Sequence, residues 1–262
     1  SRMRSYALLT PELKQLYMGF YKATYGKSKL RVYQLVDENR RAWHSGVSHW
    51  GGKDGINDQS IGIELVNQTW CHASDESKDP ETGYPERICF YPDFDDGQLA
   101  LLTELLGDIL ERHPDISPTH IVGHSDVAPD RKIDPGPRFP WERLAKLGYG
   151  AWFDDETVIR YWERFLKEPL PLVNIQNALA TYGYGIKPTG EDDEQTRNVL
   201  RAFQLHFMPY LVTREADVET TAILFALIEK YYPEQLDELL LVEAPSPPDE
   251  ATEALPDSEA TS

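Results

Sequence analysis

QLALLTELLGDILER at residues 98–112, followed after a short break by HIVGH at residues 120–124, decides the fold class. In the first stretch Leu99, Leu102, Leu105, Leu106, Ile109 and Leu110 recur at helical spacing, and Pro114 stops the pattern. The second stretch is short and apolar, which predicts a buried strand whose C-terminal end opens into a loop. Moving back along the chain, SIGIELV at residues 60–66 and VYQLV at residues 32–36 read as further strands. Strand, helix, strand order predicts an α/β domain with its site at strand ends.

After Trp152 the pattern becomes wholly helical, beginning with Val158, Tyr161, Trp162 and Phe165. A proline-containing break at residues 168–172 precedes three more candidate helices, near residues 173–182, 194–207 and 218–230. These predict a small all-α unit, in which Leu200, Phe203, Gln204 and Phe207 form the buried stripe and His206 falls on its flank. No long-period repeat stands out. At the other end, Thr10-Pro11-Glu12 is a helix-start signal, followed by Leu13, Leu16, Tyr17 and Phe20 at helical spacing. The resulting division is residues 1–30, a helical N-terminal segment; 31–152, the α/β domain; 153–172, a helical linker; 173–232, the helical domain; and 233–262, an acidic tail.

The chain has 262 residues, of which 40% are hydrophobic, enough for one large domain or two modest ones. Its formal net charge of −18 disfavours a broad phosphate-binding surface, so nucleic acid is not an expected partner. Half of that charge comes from the tail beyond Pro233, which has nine acids and no bases. Residues 244–262 cannot bury enough apolar surface to offset their ordering entropy and are expected to be disordered. No run approaches the roughly 18 apolar residues of a membrane span, and no apolar signal core follows the first residues.

Cys71 and Cys89 bracket an insertion of polar residues, Pro and Gly. They are either a disulfide, contributing about 3 kcal/mol in an oxidising compartment, or two unrelated buried thiols. The densest chemistry lies in HSDVAPDRKIDPGP, residues 124–137. His124 at a strand end and Asp134 between prolines offer one nitrogen and one oxygen to a cation such as zinc, with the Lys132 ammonium close by in sequence. Asp-Pro-Gly also occurs for turn geometry alone, and Glu64 can be read as a strand-end acid facing solvent.

The segments GHSDVAP (123–129) and RKIDPGP (131–137) closely resemble the signature of zinc-dependent N-acetylmuramoyl-L-alanine amidases of the amidase-2 type. VYQLV (32–36), AWHSG (42–46) and NDQSIGIE (57–64) fit the same family in the same order. Beyond Trp152, YGY (182–184), RAFQLHF (201–207) and ADVET (216–220) resemble a helical peptidoglycan-binding module. The resemblance implies an amidase-2-like mixed sheet flanked by helices, plus a small all-α C-terminal domain. It implies His124 and Asp134 as zinc ligands, Glu64 as general base, Lys132 as the cation meeting the oxyanion, and His44 as a substrate contact. Peptidoglycan or muropeptides would be the substrate, with a location in the periplasm or cell envelope. A noncatalytic muropeptide-binding relative that has lost its metal is the alternative.

One departure stands out. The family's first zinc histidine lies on an early strand, whereas here no histidine or cysteine precedes His44. The expected site for the single zinc ion is therefore incomplete. A helical N-terminus would also leave the sheet without its inner strands and with an unpaired edge.

Overall fold

The computed structural model describes residues 5–9, 30–37, 40–67, 69–78 and 85–241. The helix expected from Thr10 to Phe20 and the tail expected to be disordered lie outside these residues. Three strands form the main sheet: β1 (Ser5–Leu9), β2 (Arg31–Val36) and β5 (Gly62–Leu65), in the order β2-β1-β5. β1 runs antiparallel to β2 and parallel to β5, with Ala7 opposite Glu64. The expectation of missing inner strands is thereby corrected, because residues 5–9 fill the middle of the sheet. Pairing on both sides satisfies the backbone of a segment too short to announce itself by pattern.

Alternation along β5 sets up the site. Ile63 and Leu65 pack beneath α1 (Asp96–Arg112), against Leu99, Leu102 and Leu106, and Ile61 joins Leu105 and Ile109. Gly62 and Glu64 therefore belong to the opposite face. Asp95 starts α1 by accepting the Gln98 N–H at 3.1 Å.

Two small hairpins complete the α/β part. One joins β3 (His49–Trp50) to β4 (Lys53–Asp54), and the other joins β6 (Trp70–Lys78) to β7 (Pro85–Phe90). The Cys71–Cys89 disulfide links directly opposed residues of the second, so the insertion is a stapled hairpin. Residues 120–124 do not form the strand expected of them. A 3₁₀ turn at Pro118–His120 is followed by the single helical turn α2 (His124–Val127), so His124 opens a helix. Asp126 accepts the Gly123 N–H at 2.7 Å, which favours the turn over an extended run.

The remainder is helical: α3 (Trp141–Lys146), α4 (Asp155–Lys167), α5 (Leu172–Tyr182), α6 (Glu194–Phe207), α7 (Val218–Tyr231) and α8 (Leu236–Leu241). A repeat hidden in the sequence appears here. Gln176 on α5 binds Thr196 Oγ1 and the Glu191 carbonyl and accepts the Gly190 N–H. Gln204 on α6 binds Thr220 Oγ1 and the Glu215 carbonyl and accepts the Arg214 N–H. Asp193 and Asp217 then cap α6 and α7 through Thr196 N–H and Thr220 N–H. Gly190 and Arg214 take the same left-handed position, at φ 79° and 67°.

The helical part shares one core with the α/β part. Trp50, Val127 and Ala128 pack in the cluster that contains Leu179, Tyr184, Phe203, Phe207 and Phe225. The Trp50 ring meets the Tyr184 ring edge-on at 4.9 Å and donates to the Thr119 carbonyl at 3.0 Å. Trp50→Ala is expected to cost roughly 3–5 kcal/mol in urea unfolding, since it opens a cavity between the two parts. A loss below about 1 kcal/mol would show that this ring does not join them.

Candidate active site

Two loops meet beside β5, and the first of them sets His44 against Gly62. The first, residues 42–48, is shaped by buried Asn57, whose Oδ1 accepts the backbone N–H groups of His44 and Ser45, each at 2.9 Å, and the Ser45 hydroxyl at 3.0 Å. The second is the segment from Gly123 to Pro137. Arg131 ties them together, its guanidinium donating to the carbonyls of Ser45 and Val47. Gly46, at φ 63°, lets that guanidinium approach, since a Cβ there would stand 2.8 Å from Arg131 Nη2. No pattern in the sequence marks Asn57 and Arg131 as site-shaping residues, although both lie in the family-like segments.

His124 and Asp134 are brought into direct contact, with Nδ1 3.0 Å from Oδ2. The Ser125 N–H donates to the Asp134 carbonyl at 2.9 Å, which closes the loop between them. His124 Nε2 lies 3.2 Å from the Ser45 carbonyl, linking the pair to the first loop. Burial works to raise the Asp134 carboxyl, but the His124 hydrogen bond, the His124 charge and the Lys132 charge outweigh it and hold its pKa below the usual carboxylate value. Lys132 is half-buried, and its backbone N–H is anchored on the Ala128 carbonyl at 3.0 Å.

His44 stands against Gly62, where any Cβ would collide with the imidazole. Its Nε2 lies 3.2 Å from Ser60 Oγ. Burial lowers the His44 pKa, the Ser60 backbone opposes this, and the charge of His124 adds to the lowering. Glu64, two residues beyond Gly62, is exposed on the face that His44 covers.

As metal ligands, His124 and Asp134 have suitable chemistry, an imidazole nitrogen and a carboxylate oxygen. Among the described residues no group of three or more His, Cys, Asp or Glu side chains is gathered to hold an ion. Of the other histidines, His49 is paired with Asp54 at 2.7 Å, His120 with Ser117 at 2.6 Å and His206 with Asp126 at 2.8 Å. A hydrolytic zinc site uses three protein ligands, so the described residues do not make up the full set.

The comparisons with known proteins agree on the family. Residues 19–137 match the family described as N-acetylmuramoyl-L-alanine amidase, and residues 171–224 match a putative peptidoglycan binding domain. N-acetylmuramoyl-L-alanine amidase AmiD of Escherichia coli K12 is 43% identical over 204 residues, covering 78% of this chain and 69% of that protein. 1,6-Anhydro-N-acetylmuramyl-L-alanine amidase AmpD of Haemophilus influenzae is 41% identical over 113 residues, covering 43% of this chain and 50% of that protein. Among solved structures, AmpDh3 of Pseudomonas aeruginosa in complex with anhydromuramic pentapeptide superposes with a TM-score of 0.71 at 40% identity, covering 86% of this chain and 81% of that one. AmiD of E. coli, in complex with anhydro-N-acetylmuramic acid-L-Ala-D-γ-Glu-L-Lys, gives a TM-score of 0.65 at 40% identity, covering 79% and 76%. The alignment over most of the chain, across both the α/β and helical parts, shows that the chain belongs to the amidase-2 family of N-acetylmuramoyl-L-alanine amidases.

Proposed function

We propose that this chain hydrolyses the amide bond between N-acetylmuramic acid and L-alanine in peptidoglycan or muropeptides. The observation that supports this most is the contact of His124 with Asp134, in a segment tied to the loop that sets His44 against Gly62, two residues before Glu64. Glu64 would accept a proton from the attacking water, and the Lys132 ammonium would meet the negative charge that develops on the lactyl carbonyl oxygen. The proton then passes to the departing alanine nitrogen. His44 would line the groove for the substrate.

The family is zinc-dependent in general. In this chain His124 and Asp134 would be the donors to one zinc ion, and we propose that the set is incomplete and turnover correspondingly impaired. Residues 31–152, together with the central strand β1 (Ser5–Leu9) of their sheet, would form the catalytic domain. Residues 173–232 would hold it to the wall, with 153–172 as linker and 233–262 as an acidic tail. Action on polymeric wall would place the chain in the periplasm or cell envelope. No described helix is long and apolar enough to cross a membrane.

The test uses both substrate forms, purified insoluble wall and a soluble anhydromuramyl peptide. Free stem peptide is expected from both, and sedimentation with the wall. Sedimentation with no peptide release, even with added zinc, would overturn hydrolysis and leave the binding-only reading, which the retention of Glu64, His124, Lys132 and Asp134 argues against.

A further inference from the structure

Asp126 lies inside the GHSDVAP segment, two residues from His124, yet its partners come from the helical part of the chain. The carboxylate is 1% exposed. Its Oδ1 accepts the Tyr184 hydroxyl at 2.7 Å, and its Oδ2 accepts His206 Nδ1–H at 2.8 Å and the Gly123 N–H at 2.7 Å. Tyr184 follows α5, and His206 lies in the last turn of α6, far from Asp126 in sequence. The His206 ring is sandwiched between Trp141, at 3.9 Å and 14°, and Phe207, at 4.1 Å and 15°. Tyr184 is fixed against Trp50. Arg201, also on α6, donates to the Pro129 carbonyl at 2.6 Å, just beyond α2.

We propose that Tyr184 and His206 are positioning residues for His124, so that the helical part serves the active site as well as any wall contact. A single helical turn such as α2 is not stable by itself, because nucleation fixes several dihedrals for one or two hydrogen bonds. α2 has the Asp126 N–H to Gly123 carbonyl and the Ala128 N–H to His124 carbonyl bonds, at 3.1 and 3.0 Å. Its geometry must therefore come from tertiary contacts. The buried carboxylate is where they converge: one oxygen holds the start of the turn and α6, and the other holds the segment after α5. A buried carboxylate with three donors has one well-defined orientation, and that orientation fixes the turn carrying His124. The placement of His124 follows from this geometry alone, while its effect on turnover rests on the function proposed above.

The test separates positioning from plain stability. Tyr184→Phe keeps the ring and removes the hydroxyl, and His206→Leu removes the donor. His206→Asn restores a donor near the position of Nδ1. Ile228→Val, in the shared core away from Asp126, is the stability control. In ¹H–¹⁵N spectra of the full chain, the imidazole nitrogens of His124 are expected to shift in Tyr184→Phe and His206→Leu, return towards their original positions in His206→Asn, and stay in place in Ile228→Val. Turnover of a soluble anhydromuramyl peptide should fall roughly tenfold in kcat in the first two variants, the scale at which groups supporting a ligand act, with KM changed by less than about twofold. Unmoved His124 signals in both Tyr184→Phe and His206→Leu, with only the melting temperature lowered, would overturn the proposal. If the parent chain has no turnover, the proposed function fails while the His124 signals still decide the positioning role.

Discussion

Ala7→His is expected to raise zinc affinity at least about a hundredfold, since even the loss of a group supporting a ligand costs 10–100-fold and here a direct ligand is supplied. The reason lies in the register. Ala7 is opposite Glu64 in the register of the parallel β1–β5 pair, and His44 stands against Gly62, two residues before Glu64. Leu8 is opposite Leu65, which packs under α1, so Leu8→His is the control shifted by one register position. No histidine or cysteine precedes His44 in the sequence, so nothing in β1 now supplies an imidazole. Competition against a chromophoric chelator gives the affinity, and turnover is measured in parallel. Tight, near-stoichiometric zinc in the unmodified chain would show that the donor set is already complete in space.

Glu64→Gln should reduce kcat by about 10²- to 10⁴-fold with little change in KM, the range that a positioned general base contributes. Gln keeps the size and hydrogen-bonding reach of the side chain but cannot take the proton. The variant is best measured both in the parent and with Ala7→His, so that a low parent rate does not mask the loss. Unchanged kcat in both backgrounds would remove Glu64 from the chemistry. The same result would be expected of an exposed strand-end acid, the alternative that the sequence leaves open.

Much of the scaffold was legible because burial writes a period into the chain. Leu99, Leu102, Leu105, Leu106 and Ile109 marked α1, and the short apolar run at residues 60–66 marked β5. β1 was illegible because a five-residue strand draws its stability from pairing with β2 and β5, partners distant in sequence. Residues 120–124 misled for the opposite reason. They are apolar and short like a strand, but Asp126 and the following helical turn take up the backbone groups. The repeat in the helical part escaped notice because its shared elements are polar, T-x-E-x-D-x-x-T at residues 189–196 and 213–220, and its two loops differ in length.

The candidate site shows the same division. His44, Glu64, His124, Lys132 and Asp134 came from resemblance, since spacing alone allows Asp-Pro-Gly as an ordinary turn. His206 was assigned to the flank of α6 because its periodicity describes a helix packed on one side, whereas α6 is enclosed by Trp141 and Asp126 on another. No sequence period encodes a hydrogen bond between residues 126 and 206. It follows from tertiary packing alone.

The most direct measurement is hydrolysis of a defined muramyl peptide in oxygen-18 water, with the products identified by mass spectrometry. Addition of water across the lactyl amide places one labelled oxygen in the carboxylate of the muramic acid product and leaves the L-alanine peptide unlabelled with a free amino terminus. That pattern, lost in His124→Ala and in Glu64→Gln, is the predicted result. Label in the peptide, cleavage at a different bond, or an undiminished rate in both variants would contradict the assignment of this cleft as the active site.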